Sequence, residues 1–232
     1  NFFTIAPAIG SEKTPCAQVS ISAAGQGESH PLDVTMPIMK AENGLFICSA
    51  GGTSFIKDNE GKNDVSNRFT HFVSLLKQQS KFYLIDSMNV AQGAAQCEYF
   101  VKEVEESTHG LSIEHYSLGL QVDGTACGYW SVLSAMVVSW MLDNNIEIKK
   151  DNIAKHIDRV VGTLKPAKIN EEAFKLYQDQ QLIQLKISEN NQTITAADPR
   201  VVSKMDMWKK EQAIRALMAP MVEASTLLDQ GP

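Results

Sequence analysis

The chain has 232 residues with 44% hydrophobic content, which is enough apolar material for one substantial core or for a core with a small helical appendage. The net charge is −6 and the basic residues are scattered, so we expect no nucleic-acid partner. The longest apolar run, at 130–142, is too short to cross a bilayer, and it predicts a buried helix rather than a membrane span.

The cysteines also limit the possible classes of protein. They stand at positions 16, 48, 97 and 127 and form no C-x-x-C pair, which argues against a structural zinc site and gives no disulfide framework. We therefore expect a reducing, cytosolic compartment. The chain opens without an initiator methionine or a basic amino-terminal segment, so we expect it to be an excised domain.

The first half of the chain predicts loops followed by strands. Residues 1–30 are rich in Gly, Ser, Ala and Pro and predict surface loops. Two short apolar runs at 36–50 flank Asn43-Gly44, a pair that favours a tight hairpin turn, and residues 57–67 predict a polar loop. The segment 69–88, FTHFVSLLKQQSKFYLIDSM, has two β-prone runs around a polar centre and predicts a second hairpin.

Counting along this second hairpin brings two polar residues together. If the turn centres between Gln78 and Gln79, Leu75 faces Phe82 and His71 faces Asp86. Directly opposed side chains lie on one sheet face with Cβ atoms about 4.5 to 5.5 Å apart. Imidazole and carboxylate could then bond, as a general base requires. The alternative is that the two residues merely flank the strands, since Asp is common at strand ends.

The second half of the chain predicts one more strand and several helices. An amphipathic helix is predicted at 89–108, a strand at 111–121, the buried helix after Gly128, and a helical tail with segments at 151–162, 170–187 and 199–228. This order favours an α+β fold with a small mixed central sheet flanked by helices.

The segment QVDGTACGYW, at 121–130, carries the strongest chemical signal. Cys127 lies at the predicted start of the apolar helix, where unpaired N–H groups and the helix dipole favour a thiolate. The Cys127 amide and the Gln121 side chain could both donate to a developing oxyanion. The alternative for an isolated cysteine is a small buried residue at a helix start.

The spacing Q-x-D-G-x-x-C-G resembles the active-site signature of the ubiquitin-like-protein proteases of clan CE, which include sentrin-specific proteases and bacterial effector deubiquitinases. The order of that family, His, Asp, Gln and Cys, falls on His71, Asp86, Gln121 and Cys127. The resemblance covers roughly residues 69–140. It implies a papain-like cysteine protease fold, with a catalytic domain at 1–165 and a C-terminal helical extension at 166–232 packed on the same domain.

The resemblance also implies the function and its setting. We expect a cysteine isopeptidase that removes ubiquitin or a ubiquitin-like modifier from conjugates, with no metal and no organic cofactor. Ubiquitin is favoured because the divergent chain is more similar to a bacterial effector, which would be secreted into the cytoplasm of a host cell. Where the family usually has Trp after the catalytic His, this chain has Phe72, which leaves the choice of modifier open.

Two alternatives for function stay open at this point. The pair His71-Phe72 is also similar to the YopJ-type effectors, which use the same triad and are described as acetyltransferases, although they carry Glu in place of Asp86. A catalytically inert module that only binds a ubiquitin-like partner is the third possibility.

Other residues are weaker candidates for the site. Phe72 and Trp130 are possible substrate contacts, and for Trp130 a packing role beside Cys127 is favoured because the two share a helix face. His156 would give a papain-like Cys-then-His order, but it lies in a polar helical segment and papain signatures are absent. His115 alternates with apolar strand residues, so we expect its ring to be satisfied structurally.

Overall fold

The computed structural model describes residues 9–10, 14–22, 43–57, 63–89, 101–102, 105, 112–122, 124–188 and 194–228. Its strands precede its main helices along the chain. The strands are β1 (Cys16–Ser22), β2 (Asn43–Lys57), β3 (Asn63–Gln78), β4 (Lys81–Asp86) and β5 (Ile113–Ser117), and the helices are α1 (Cys127–Asp143), α2 (Lys150–Thr163), α3 (Glu171–Ser188) and α4 (Pro199–Leu228). The α+β class predicted from the sequence is confirmed.

The strands form one mixed sheet in the order β1-β2-β3-β4-β5. The two outer pairs, β1 with β2 and β4 with β5, are parallel, whereas β2, β3 and β4 are antiparallel neighbours. The central strands are buried on both faces: Leu45, Phe46, Ile47 and Cys48 follow one another in β2 and are each 0% exposed. Such continuous apolar runs are typical of strands that are covered on both sides.

The sheet extends further than the sequence predicts. Asn43 and Gly44 open β2 rather than forming a hairpin turn, and the ladder between β2 and β3 runs from the pair Asn43–Gln78 to the pair Lys57–Asn63. Part of the predicted loop at 57–67 is therefore strand, and so is residue range 16–22 within the predicted amino-terminal loops. Backbone pairing with a neighbouring strand, which no local pattern records, holds these polar segments extended.

The β3–β4 hairpin is confirmed, but its register differs from the prediction by two residues. Leu75 pairs with Leu84 rather than with Phe82, because a two-residue turn lies at 79–80 and Gln79 takes a left-handed conformation with φ of 55°. Glutamine is not a usual residue for such a turn, so the sequence gives no marker of it. A shift of two residues preserves the sheet face of every side chain.

Helix α1 crosses the sheet and contacts β2, β3 and β4 on one side and α2 and α4 elsewhere. It is buried around most of its circumference, which explains why its sequence is an apolar run rather than an amphipathic pattern. Its core residues include Trp130, Leu133, Val137, Val138 and Met141.

Helices α2 and α4 cover α1, and α3 packs on α4. Helix α2 presents Ile153, Ile157 and Val161 at helical spacing to the main core. Helix α4 contacts α1, α2 and α3. Of the helix predicted at 89–108, residues 101, 102 and 105 are helical, Asn89 is not, and the rest lies outside the described residues. None of the helices in the described ranges combines the length and apolar composition that a bilayer crossing requires.

Candidate active site

The candidate site lies where β3, the end of β4 and the start of α1 meet. His71 Nε2 and Asp86 Oδ1 are 2.9 Å apart, and the two residues are only 4% and 0% exposed. The pairing is diagonal rather than direct, because the register of the Ser74–Ile85 pair, continued by one residue, places Val73 rather than His71 opposite Asp86. A long side chain can span such a diagonal on one face, so the predicted contact forms despite the different register.

Asp86 is held by its own backbone surroundings as well as by His71. Its Oδ1 also accepts a hydrogen bond of 2.9 Å from the Met88 amide, which fixes the carboxylate just after β4. Asp86 thereby orients the imidazole with Nε2 toward the carboxylate. Nδ1 is then the ring nitrogen available for proton exchange with a nucleophile.

The His71 imidazole has a raised pKa. Burial alone would lower it, but hydrogen bonds to Asp86 and Cys127, with the charges of both groups, outweigh burial and raise the pKa to about 9. His71 is therefore protonated at neutral pH. An imidazolium beside a cysteine favours negative charge on the sulfur, which is the arrangement that a thiol nucleophile needs.

Cys127 is the first residue of α1 and is 5% exposed. Among the described residues, no side chain caps this helix start, and the first turn carries no acidic residue. Amides at a helix start point out of the helix and can donate to an oxyanion. Ser74 on β3 donates a 2.7 Å hydrogen bond to the Ser131 carbonyl on α1, which ties the strand of His71 to the helix of Cys127.

Gln121 lies in the segment after β5 and is 4% exposed. Its side-chain Oε1 accepts a 2.8 Å hydrogen bond from Ser87 Oγ, and its backbone amide donates to the Ser87 carbonyl at 2.9 Å. Because Ser87 occupies the side-chain oxygen, the side-chain NH₂ group is the part of Gln121 that can donate to a ligand. Ser87 follows Asp86 directly, so one short segment positions both Asp86 and Gln121.

Phe72 and Trp130 occupy different environments. Phe72 is partly buried and packs against the main core. Trp130 is 1% exposed, and its indole donates to Glu211 Oε1 at 3.0 Å. The surface of Trp130 is thus used for packing, the role that the sequence favours, whereas contact of Phe72 with substrate stays a prediction.

The other described histidines do not join His71 beside Cys127. His156 contacts Trp140, with ring centroids 5.1 Å apart. Trp140 lies 13 residues beyond Cys127 on α1, which is roughly 20 Å along the helix. His156 is therefore too far from Cys127 to act as its base, and the papain-like Cys-then-His order is wrong. His115 Nε2 lies 3.9 Å from Asp86 Oδ2 and has no hydrogen-bond partner within the described part of the chain, so this nitrogen is not satisfied as the sequence predicts.

Sequence reasoning missed Ser87 and Glu211. Ser87 gives no local signal beyond following Asp86. Glu211 does give one: it falls on the apolar stripe of α4, between Trp208 and Ile214, where a lone carboxylate is unusual and predicts a buried partner.

The other described cysteines differ from Cys127. Burial raises the pKa of the Cys16 thiol to about 12, and burial together with Cys16 raises that of Cys48 further. Both are free thiols and poor nucleophiles at neutral pH. Within the described ranges, no three His, Cys, Asp or Glu side chains are grouped so that they could hold a metal ion.

Comparisons with known proteins give structural similarities only. No family model matches the chain, and no curated protein matches it. The C-terminal Ulp1 protease domain in complex with Smt3, the yeast ortholog of SUMO, is 12% identical with a TM-score of 0.33, covering 67% of this chain and 69% of the other. AvrA delL154 with IP6 and CoA is 14% identical with a TM-score of 0.37, covering 87% of this chain and 79% of the other. Similarities at this level do not establish a family.

Proposed function

We propose that the protein is a cysteine isopeptidase that releases ubiquitin or a ubiquitin-like modifier from its conjugates. The observation that carries the proposal is the buried His71–Asp86 hydrogen bond beside a cysteine at a helix start. A nucleophile, a base and a group that orients the base are the three parts that acyl transfer by a thiol requires.

The proposed reaction begins with Cys127 and His71 as an ion pair. The sulfur attacks the carbonyl carbon of the modifier's C-terminal glycine, and the oxyanion accepts hydrogen bonds from the Cys127 amide and the Gln121 side chain. The tetrahedral intermediate expels the amine, which takes a proton from His71 Nδ1, and a thioester with Cys127 remains. His71 then removes a proton from water, whose oxygen displaces the sulfur and frees the modifier.

Asp86 supports both steps without taking the proton. Its carboxylate holds the ring in the productive orientation and stabilises the imidazolium. Because Asp86 is fully buried and bonded to Met88 as well, it is fixed before substrate arrives. This kind of preorganisation lowers the cost of reaching the transition state.

The modifier and the setting of the reaction rest on the resemblance of the motif. Ubiquitin is the favoured modifier, and a bacterial effector acting in the reducing cytoplasm of a host cell is the favoured context. The free thiols of Cys16 and Cys48 support a reducing compartment. The division into a catalytic domain at 1–165 and a helical extension at 166–232 belongs to the same proposal.

The test uses ubiquitin, SUMO and NEDD8 that carry an electrophile at the C-terminal glycine. We expect a mass shift by one modifier with the wild-type protein and none with Cys127→Ala. Cys16→Ala, which removes a buried thiol away from the site, is the matched control and should retain the adduct. The modifier that forms the adduct identifies the class of substrate.

The absence of any adduct with folded protein would contradict the peptidase function. The next experiment would then be incubation of the protein with labelled acyl-CoA. Labelling of Cys127 by acyl-CoA would indicate the YopJ-like acyltransferase. Reversible binding of a modifier, equal in wild type and Cys127→Ala and without an adduct, would indicate an inert module.

A further inference from the structure

A buried carboxylate on α4 joins the two segments that carry Gln121 and Cys127. Glu211 is 1% exposed. Its Oε1 accepts a 2.7 Å hydrogen bond from the Val122 amide and a 3.0 Å hydrogen bond from the Trp130 indole. Val122 follows Gln121 directly, and Trp130 lies one helical turn after Cys127. One oxygen atom therefore connects the proposed donor loop to the nucleophile helix.

The neighbouring residues of the C-terminal helices hold the same loop. Arg215, one turn after Glu211, donates to Thr125 Oγ1 at 2.7 Å, and its guanidinium lies 4.9 Å from the centre of the Tyr129 ring. Tyr177 on α3 donates to the Val122 carbonyl at 3.2 Å. We call Tyr177, Glu211 and Arg215 the C-terminal clamp.

Within the clamp, Glu211 has the strongest hold on the loop. Its bond to the Trp130 indole is buried and its bond to the Val122 amide is partly buried, whereas the Arg215–Thr125 bond is exposed and competes with solvent. Removing the Glu211 carboxylate would leave the Val122 amide and the Trp130 indole without this acceptor inside the protein. The loop would then relax to satisfy them.

We propose that Glu211 is a positioning residue that fixes Gln121 relative to the Cys127 amide. This inference rests on the proposed peptidase function. Oxyanion donors accelerate a reaction only when they are aimed at the developing charge in advance. Ser87 holds the side-chain oxygen of Gln121, and Glu211 holds the next peptide unit and the start of α1. The C-terminal helices thus help to position the proposed oxyanion donors.

The effect of Glu211 can be separated from general support of the fold. Attack on a carbonyl creates an oxyanion, whereas alkylation of Cys127 by iodoacetamide takes place at a saturated carbon and creates none. A displaced Gln121 should therefore slow hydrolysis while Cys127 keeps its reactivity toward iodoacetamide. The substrates are the aminomethylcoumarin amides of ubiquitin, SUMO and NEDD8.

With Glu211→Ala we expect kcat to fall about 10- to 100-fold, as for other losses of oxyanion stabilisation, with KM within about 3-fold and the alkylation rate within about 2-fold. Glu211→Gln should restore most of kcat, because an amide oxygen can accept the same two bonds. Asp206→Ala, which removes an exposed carboxylate of α4, is the matched control and should behave as wild type.

Three results would overturn the proposal: unchanged kcat in Glu211→Ala, a parallel loss of hydrolysis and alkylation, or Glu211→Gln as slow as Glu211→Ala. If Glu211→Ala does not fold, Trp130→Phe takes its place, since it removes one of the two donors and keeps an aromatic ring. We expect a smaller loss of kcat, about 3- to 10-fold, again without loss of alkylation, and no loss would count against the proposal.

A second readout does not depend on the peptidase activity. Hydrogen exchange of the Val122 amide and the Trp130 indole, followed by NMR, should be at least 10-fold faster in Glu211→Ala than in wild type. Failure of the wild-type protein to hydrolyse any substrate would contradict the proposed function alone. Unchanged exchange at both groups would contradict the positioning role whatever the substrate.

Discussion

At the scale of single residues, Asp86 shares one carboxylate between two histidines. Its Oδ1 bonds His71 at 2.9 Å, and its Oδ2 lies 3.9 Å from His115. Burial lowers the pKa of His115, and although Asp86 acts in the opposite direction, Lys150 lowers it further. The pKa of His115 is therefore shifted in the opposite direction from that of His71, although both rings lie beside the Asp86 carboxylate.

The raised pKa of His71 makes stability depend on pH. Its pKa is about 9 in the folded protein against an ordinary value of 6.5, so the folded state holds the proton more tightly. The resulting stabilisation is fully present below about pH 6.5 and is lost as the pH rises through about 9. We expect the free energy of unfolding from urea titrations to fall in this window by at most about 1.4 kcal/mol per pH unit.

His71→Gln should flatten this decline, while His156→Gln, a change on α2 outside the site, should keep it. A decline of equal slope in the His71→Gln protein would show that other groups cause it.

The Asp86 carboxylate should matter for the nucleophile as well as for turnover. Asp86→Asn removes the charge that stabilises the His71 imidazolium, so we expect kcat/KM to fall on the order of 10²- to 10⁴-fold. Unlike Glu211→Ala, it should also slow alkylation of Cys127 by iodoacetamide at neutral pH. Asp158→Asn, which changes an exposed partner of Lys210, is the control. Unaltered alkylation in Asp86→Asn would argue against an ion pair at the site.

At the scale of elements, the segment after β5 carries Gln121 around a left-handed residue. Gly119 has φ of 67°, and a Cβ there would lie 3.4 Å from Asn89 Cβ. The Leu118 and Leu120 amides on either side donate to the Asp86 and Ser87 carbonyls, each at 2.7 Å. The turn therefore cannot relax without losing bonds to the segment that holds Asp86.

Two glycine substitutions should have opposite effects on stability. Gly119→Ala forces a side chain into the left-handed region, so we expect a loss of about 1–2 kcal/mol in the free energy of unfolding. Gly162→Ala lies in α2, where a Cβ meets nothing within 4 Å, and should stabilise by a few tenths to about 1 kcal/mol. Urea titrations measure both. A gain of stability in Gly119→Ala would mean that the turn rearranges at little cost.

At the scale of the whole molecule, α4 belongs to both apolar cores. Its amino-terminal half packs Val201, Met205 and Trp208 with Tyr177 of α3. Its later residues Ile214 and Met218 belong to the main core with α1 and α2. The C-terminal helices therefore share their packing with the sheet domain.

Because α4 links the two cores, we expect a single cooperative unfolding transition. Trp208→Ala in the smaller core and Met141→Ala in the main core should each cost about 2–5 kcal/mol and shift one common midpoint. Far-UV circular dichroism and the accessibility of Cys127 to a thiol reagent, measured across a urea titration, should coincide. Separate midpoints in the Trp208→Ala protein would indicate that the C-terminal helices unfold independently.

The sequence predicted what short-range patterns encode. Alternation in 69–88 placed His71 and Asp86 on one face, and the apolar run after Cys127 gave the central helix. The register of that hairpin was not predictable because it depends on Gln79 adopting a left-handed turn. The strand at 16–22 and the bond from Glu211 to Val122 depend on partners distant in the chain, which a local pattern does not record.

The position of Glu211 in the chain bears on how the protein is made. A ribosome that adds about 5–20 residues per second completes Cys127 several seconds before Glu211 is even translated. During that interval the nascent chain carries its thiol without the acceptor for Val122 and Trp130. The bonds from Glu211 therefore form only after Cys127 has been made, and a chain released before α4 is synthesised would carry the proposed nucleophile without the bonds that hold the Gln121 segment.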